Sequence, residues 1–214
     1  MLTPTVVPLL AAWAVAVISP GPDFLAVLRT SASSSRRSGV FVAVGVVSGI
    51  GCWALAALAG ISVLLDRYEH IYLAVRLTGA LFLIGYGLLT LRNAWRHTTA
   101  PRTSTRTYSW YAPLASATTT FTSWRLGFLT NLSNPKAVAF FGALFASLLP
   151  PTIGTLEKVA LLLLMLAIAL TWFITIALLA SAPAAATAYL RRRNAIDGIT
   201  GALFVILGGA LIPR

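Results

Sequence analysis

Two places in this chain set a full charge beside helix-stopping proline inside an apolar stretch. Ser19-Pro20-Gly21-Pro22-Asp23 interrupts the first long apolar run, and Asn131-Leu132-Ser133-Asn134-Pro135-Lys136 interrupts the fourth. One supplies a carboxylate, the other an ammonium. Such a pair suits a small zwitterion: Asp23 for its ammonium, Lys136 for its carboxylate, with Ser19, Asn131 and Asn134 as neutral hydrogen-bonding groups. Near a bilayer centre each charge costs about 2.5–3.5 kcal/mol on insertion scales, so keeping both there needs a reason. Pro20, Pro22 and Pro135 lack amide donors and clash with the preceding turn, which frees backbone carbonyls and amides. Lipid cannot satisfy those groups; at membrane depth only protein or water does. Half-helix ends also concentrate dipole charge, and free amides at a helix start bind carboxylates. A plainer reading stands beside this one. The two charges could neutralise each other and lock the first and fourth spans, with the Asn and Ser side chains capping broken helices.

The elements around these breaks follow from composition. The chain has 214 residues, of which 58% are hydrophobic and only 10% charged. A water-facing domain carries about a quarter charged residues, so the solvent here is largely lipid. Residues Met1 to Leu10 lack a basic leader region and the apolar run continues past signal length, so the first segment is expected to stay as a span. One cysteine, Cys52, rules out an internal disulfide or a CxxC pair, and His70 and His97 lie apart, outside the apolar runs. No metal site, cofactor or ATP-binding motif is expected. An intramembrane enzyme would need a nucleophile–base set, yet the spans hold no His, Glu or second Cys. A metal or thiol-relay transporter would need CxxC, a His-rich loop or further intramembrane acids. A non-transporting scaffold would leave Asp23 and Lys136 explained only as a lock.

Six segments are long and apolar enough to span: Thr3–Leu28, Val40–Leu65, Ile71–Leu91, Gly127–Leu149, Val159–Ser181 and Ile196–Ile212. Eleven of the 16 basic residues fall in the loops after spans one, three and five (Arg29, Arg36 and Arg37; Arg92, Arg96, Arg102, Arg106 and Arg125; Arg191 to Arg193). Cytoplasmic loops are enriched in Lys and Arg, so both termini are expected on the outer side. The net charge of +11 is thereby a topology signal, and no nucleic-acid partner is expected. The polar stretch from Arg96 to Arg125 reads as a linker, with Trp110, Tyr111 and Trp124 at the headgroup boundary.

Thr78-Gly79-Ala80-Leu81-Phe82 recurs unchanged as Thr200-Gly201-Ala202-Leu203-Phe204, each in the third span of its half. With the paired proline breaks this points to a duplication, and three spans per copy turn the second copy upside down. Aligning Pro22 with Pro135 puts Asp23 opposite Lys136. In span one the long run precedes the break, whereas in span four it follows. Either span four starts earlier, near Ser116, or the symmetry is imperfect. The expected fold is an all-α integral membrane protein: a first three-helix repeat (1–95), a basic cytoplasmic linker (96–125) and a second, inverted repeat (126–214), with the first and fourth helices broken at Pro20, Gly21, Pro22 and Pro135. Gly45 and Gly49 form a GxxxG face for close helix packing, which permits a homodimer without requiring one. Trp13, Trp53 and Trp172 are expected to pack inside spans, one of them lining the cavity, and Cys52 to be a small packing residue.

The residues Ser19 to Phe24, Gly45 to Gly51, Asn131 to Ala137 and the final Gly-Ala-Leu-Phe together resemble the LysE/RhtB family of amino-acid exporters, over essentially the whole chain. The Pro-Gly-Pro-Asp form is closer to the RhtB branch, associated with homoserine, threonine and leucine, than to the lysine/arginine branch. The resemblance implies a bacterial inner-membrane secondary transporter exporting small neutral amino acids in exchange for protons. It carries the functional core onto Asp23 and the Asn134-Pro135-Lys136 group, with Asp23 as proton-carrier candidate. A proton gradient supplies about 2.3 kcal/mol per charge per 100 mV, enough to drive export with a few protons per cycle. Other substrates of the wider superfamily, such as cations, lactones or drugs, are the alternative.

Overall fold

The structure, a computed structural model, describes residues 6–67, 69–99, 119–138, 140–141, 154–180 and 183–212. Among these residues it is all helix and short turns. Helix α1 (Val6–Ile18) is almost wholly apolar and stops where Pro20 and Pro22 withhold two amides; its last bond runs from the Ser19 amide to the Val15 carbonyl. Helix α2 (Pro22–Ser33) restarts on proline, whose missing amide costs nothing in a first turn, and is bent by 44° from Leu9–Ile18. Ser35 Oγ then accepts from the Ser38 amide at 3.0 Å and opens α3 (Arg36–Arg67). Helix α4 (Glu69–Thr99) follows. Thr119 Oγ1 accepts from the Thr122 amide and caps α5 (Thr120–Leu132). After Ser133 and Asn134 the chain is helical again at 135–138 and 140–141. Helices α6 (Thr155–Leu179) and α7 (Pro183–Leu211) follow.

Two segments, Arg36–Leu58 and Thr155–Leu179, are each long and apolar enough to cross a membrane, and the bent α1–α2 pair makes a third. Leu77–Arg92 in α4 and Asn194–Ala210 in α7 are shorter apolar stretches. The fourth predicted span lies among the described residues only as far as 141. Its back half, together with residues 100–118 of the basic stretch and their Trp110 and Tyr111, falls outside them.

Several boundaries differ from expectation. Helix α5 begins at Thr120, not Gly127, and takes up the last residues of the stretch read as linker. Among the described residues α1 and α5 each run 13 residues before their interruption. Arg191 to Arg193 lie within α7 and Arg92 and Arg96 within α4, so these arginines extend helices where loops were expected. The 32-residue α3 shows why: at 1.5 Å per residue it is about 48 Å long, well beyond a hydrocarbon core of about 30 Å. Cys52 is exposed on α3 and is not a packing residue of the core.

Glycines set which helices lie together. A Cβ at Gly45 would collide with the Trp124 carbonyl, and one at Gly127 with the Val42 carbonyl, so α3 and α5 touch backbone to backbone. Gly45 meets Trp124 and Phe128 while Gly49 meets Asn131, so the two helices run parallel. Residues Gly45 and Gly49 are therefore used inside the protomer, and the GxxxG face no longer argues for a homodimer. Helices α4 and α7 run antiparallel, Gly87 against Gly201 and Gly208 against Ala80, so the two Thr-Gly-Ala-Leu-Phe segments belong to helices that pack on each other. Tryptophans tie the remaining pairs. Trp13 Nε1 donates to the Met165 carbonyl at 2.9 Å, from α1 to α6, and Trp124 Nε1 donates to Ser48 Oγ at 3.2 Å, from α5 to α3. The core between them is built from Leu9, Val17, Phe24, Val46, Met165 and Phe173, all buried.

Candidate functional site

In an unbroken helix the Ala16 carbonyl would accept from the amide of residue 20, and proline has none. Lys136 supplies the missing donor. Its Nζ lies 3.0 Å from the Ala16 carbonyl and 3.1 Å from the Ser19 carbonyl and donates to both. The ammonium thus caps the negative end of the α1 dipole. Gly21 makes room for it: a Cβ there would come 3.2 Å from Nζ.

Asp23 sits in the first turn of α2, at the positive end of that half-helix. Its Oδ2 accepts from Asn131 Nδ2 and from Asn134 Nδ2, each at 2.9 Å. Asn134 has a second task. Its Oδ1 accepts from the Lys136 amide at 3.0 Å and caps the helix that restarts at Pro135. This asparagine thus caps a helix with one end and holds Asp23 with the other. Asn131, the penultimate residue of α5, has its Oδ1 against α3, where a Cβ on Gly49 would approach it to 2.7 Å.

The five polar residues expected at the site come together. Ser19, Asp23, Asn131, Asn134 and Lys136 are each at least nine-tenths buried and line one cavity of ≈ 30 Å³. The direct Asp23–Lys136 lock is absent: neither Asp23 oxygen is hydrogen-bonded to Nζ, and each charge has other partners. Three oxygens of the lining, Asp23 Oδ1, Ser19 Oγ and Asn131 Oδ1, have no hydrogen-bond partner among the described residues. Buried polar atoms are almost always satisfied, by protein or by ordered water. A cavity of this size holds a water or two, at about 10–15 Å³ each by this measure, and is too small for an amino acid without movement.

Aromatic side chains close the other side, and sequence reasoning found only one of them. One of Trp13, Trp53 and Trp172 was expected to line the cavity, and Trp13 does; Phe24, Phe140, Phe141 and Phe173 were not singled out. The rings of Trp13, Phe140 and Phe141 have centroids 5.1, 5.4 and 5.5 Å apart. A signal existed for Phe140, four residues after Lys136 and so on the same helix face. Phe173, more than thirty residues downstream of Phe140, gave none.

Comparison with known proteins bears on what such a site serves. The threonine efflux protein of Escherichia coli (strain K12) is 32% identical over 200 residues, 92% of each chain. The threonine efflux protein of Salmonella typhi is 33% identical over 198 residues, again 92% of each. A chemotactic transduction protein, ChpE of Pseudomonas aeruginosa, is 30% identical over 141 residues, 64% of this chain and 62% of its own. No solved structure matches. The family model described as LysE type translocator matches residues 14–213, a range that holds both breaks and every residue of the cavity except Trp13. The chain is a transporter and not an enzyme, a multi-pass membrane protein belonging to the LysE type translocator family.

Proposed function

We propose that this chain exports small neutral amino acids, threonine-like in size, from the bacterial cytoplasm in exchange for protons, by alternating access around its two helix breaks. The observation that carries it is the buried cavity. It sets an acid and a base side by side without a direct bond and leaves Asp23 Oδ1 unpartnered for a ligand. A pure lock would satisfy its charges with each other. Relatives named for threonine efflux at about a third identity support the substrate class. In this reading Asp23 alternates between substrate ammonium and proton, while Lys136 holds the end of α1 until a substrate carboxylate competes for it.

Six spans in two inverted copies fit the pairing of helices. First span ties to fifth and fourth to second through tryptophan donors at corresponding places, and third and sixth cross antiparallel on the repeated pentapeptide's helices. With the basic clusters cytoplasmic, α1 enters from outside and both termini lie there. Export from cells preloaded through dipeptides tests the function, comparing wild type, Asp23→Asn and empty vector at equal expression. Faster threonine efflux in the wild type, lost in the variant, is expected. Efflux no faster than from the vector would sink the substrate class. In liposomes a pH gradient drives wild-type exchange; an Asp23→Asn protein that responds to it as the wild type does would remove Asp23 from proton coupling.

A further inference from the structure

Two rungs join α1 to the helix that restarts at Pro135, and they lie one turn apart. The first rung is polar: Lys136 Nζ donates to the Ala16 carbonyl at 3.0 Å. The second is aromatic. Trp13 stands three residues before Ala16 and Phe140 four after Lys136, and their ring centroids are 5.1 Å apart. One helical turn, about 5.4 Å, thus separates the charges from the rings. Trp13 is fixed from behind by its bond to the Met165 carbonyl, and Phe141 meets Phe140 edge-on at 5.5 Å. All three rings are buried and line the same cavity as the charges. In the other direction along the helices the character is opposite. Asn131 and Asn134 hold Asp23, and beyond them the buried residues of α2 and α5 include the small polar Thr30, Ser31 and Ser123. A ligand whose charged groups occupy the polar side therefore has its side chain against the rings.

Resting on the proposed export of amino acids, we infer that this aromatic roof sets the size limit of the exported side chain, with Phe140 as the ring that decides it. Phe140 touches both other rings and its side chain has no hydrogen bond to lose, whereas Trp13 also ties α1 to α6. The cavity is ≈ 30 Å³, so each carbon added to a ligand must displace a ring, and packed cores resist added methylenes. A threonine side chain reaches two atoms from its Cα and fits within the one-turn gap. Leucine reaches three and a phenylalanine ring further, into the roof. Truncating a buried core side chain can leave an open cavity of about 150 Å³, enough for benzene, so removing the Phe140 ring provides the missing room.

Thermal stabilisation of the purified full-length protein in detergent by alanine, threonine, leucine and phenylalanine reads the limit directly, because a ligand stabilises in proportion to its occupancy. In the wild type, threonine is expected to act at concentrations at least about tenfold below leucine, and phenylalanine not at all, since one methylene in a tight pocket is worth about ten- to two-hundredfold. Phe140→Ala is expected to relax the limit, with leucine and phenylalanine gaining at least about tenfold relative to threonine. Phe140→Leu keeps more of the packing and is expected to move the leucine-to-threonine ratio the same way by a smaller factor, so it decides the matter should the alanine variant fail to fold. A ratio between ligands on one preparation is not moved by a general loss of stability. Phenylalanine stabilising the wild type as well as threonine does, or variant ratios equal to those of the wild type, overturns the inference. The export assay keeps the two questions apart. Threonine efflux with unmoved ratios leaves the export reading standing and removes the size limit. Ratios that move without efflux do the reverse, and stabilisation by none of the four amino acids overturns both.

Discussion

Asn134 gives the sharpest test of how the second break works, because its two ends do different jobs. Nδ2 donates to Asp23 Oδ2 at 2.9 Å, and Oδ1 accepts from the Lys136 amide at 3.0 Å. Serine at this position keeps a capping oxygen and loses the reach to Asp23; alanine loses both. A helix cap is worth about 1 kcal/mol, and a hydrogen bond to a charged group about 1.5–3 kcal/mol. Asn134→Ser should therefore be less stable than the wild type by the second figure, and Asn134→Ala by both. The gap between the two variants is the cap alone, about 2–4 °C in melting temperature for a chain of this length. Flux should separate differently. Both variants withdraw the same donor from Asp23, so both should lose exchange in proteoliposomes by at least about tenfold and to the same extent. Melting curves and exchange rates on the same preparations decide the matter. Wild-type flux in Asn134→Ser would refute the placement of Asn134 at the site and leave it a cap only. Equal melting temperatures for serine and alanine would refute the cap.

Gly45→Ala sets a methyl group against the Trp124 carbonyl and should cost about 1–3 kcal/mol in thermal unfolding, whereas Gly51→Ala, whose methyl would meet Leu166 Cδ2 at 3.8 Å, should be neutral or mildly stabilising. Gly49→Ala pushes on Asn131 Oδ1 and thereby on the donor to Asp23, so exchange should fall further than stability does; unchanged exchange would show that Asn131 has room to adjust. Lys136→Met leaves two buried carbonyls without their donor, so stability should fall by about 1–3 kcal/mol for each acceptor left unsatisfied, and folded yield with it. Adding Asp23→Asn should recover part of the yield and none of the flux; full recovery of flux would show that neither charge takes part in transport. Trp13→Phe keeps a ring against Phe140 and Phe141 and loses the bond to the Met165 carbonyl, a change of about 1 kcal/mol in melting with cavity shape retained.

Much of this protein is readable along the chain because the signals are local. A proline lacks its amide wherever it is placed, so breaks at Pro20, Pro22 and Pro135 follow from composition alone. The cost of a charge in lipid singles out Asp23 and Lys136 in the same way. Apolar runs and flanking arginines locate the spans, although helix ends do not follow from them: α5 starts seven residues early and α7 thirteen, since a helix continues past the bilayer wherever its backbone bonds can.

The choice of partner is another matter. Acid and base at matched positions suggested that Asp23 and Lys136 bind each other or divide a zwitterion between them. The folded chain gives Lys136 to carbonyls 117 and 120 residues away, and gives Asp23 to two asparagines 108 and 111 residues away. Those distances in sequence are bridged by how closely α3 lies on α5, which depends on glycines meeting backbone, and by where α1 and α6 are tied through Trp13. The polar residue types at the two breaks are thus determined by the sequence. Which of their oxygens remain unpartnered is decided only when helix packing has assigned every other donor, because a hydrogen bond depends on tenths of an ångström that no local pattern encodes.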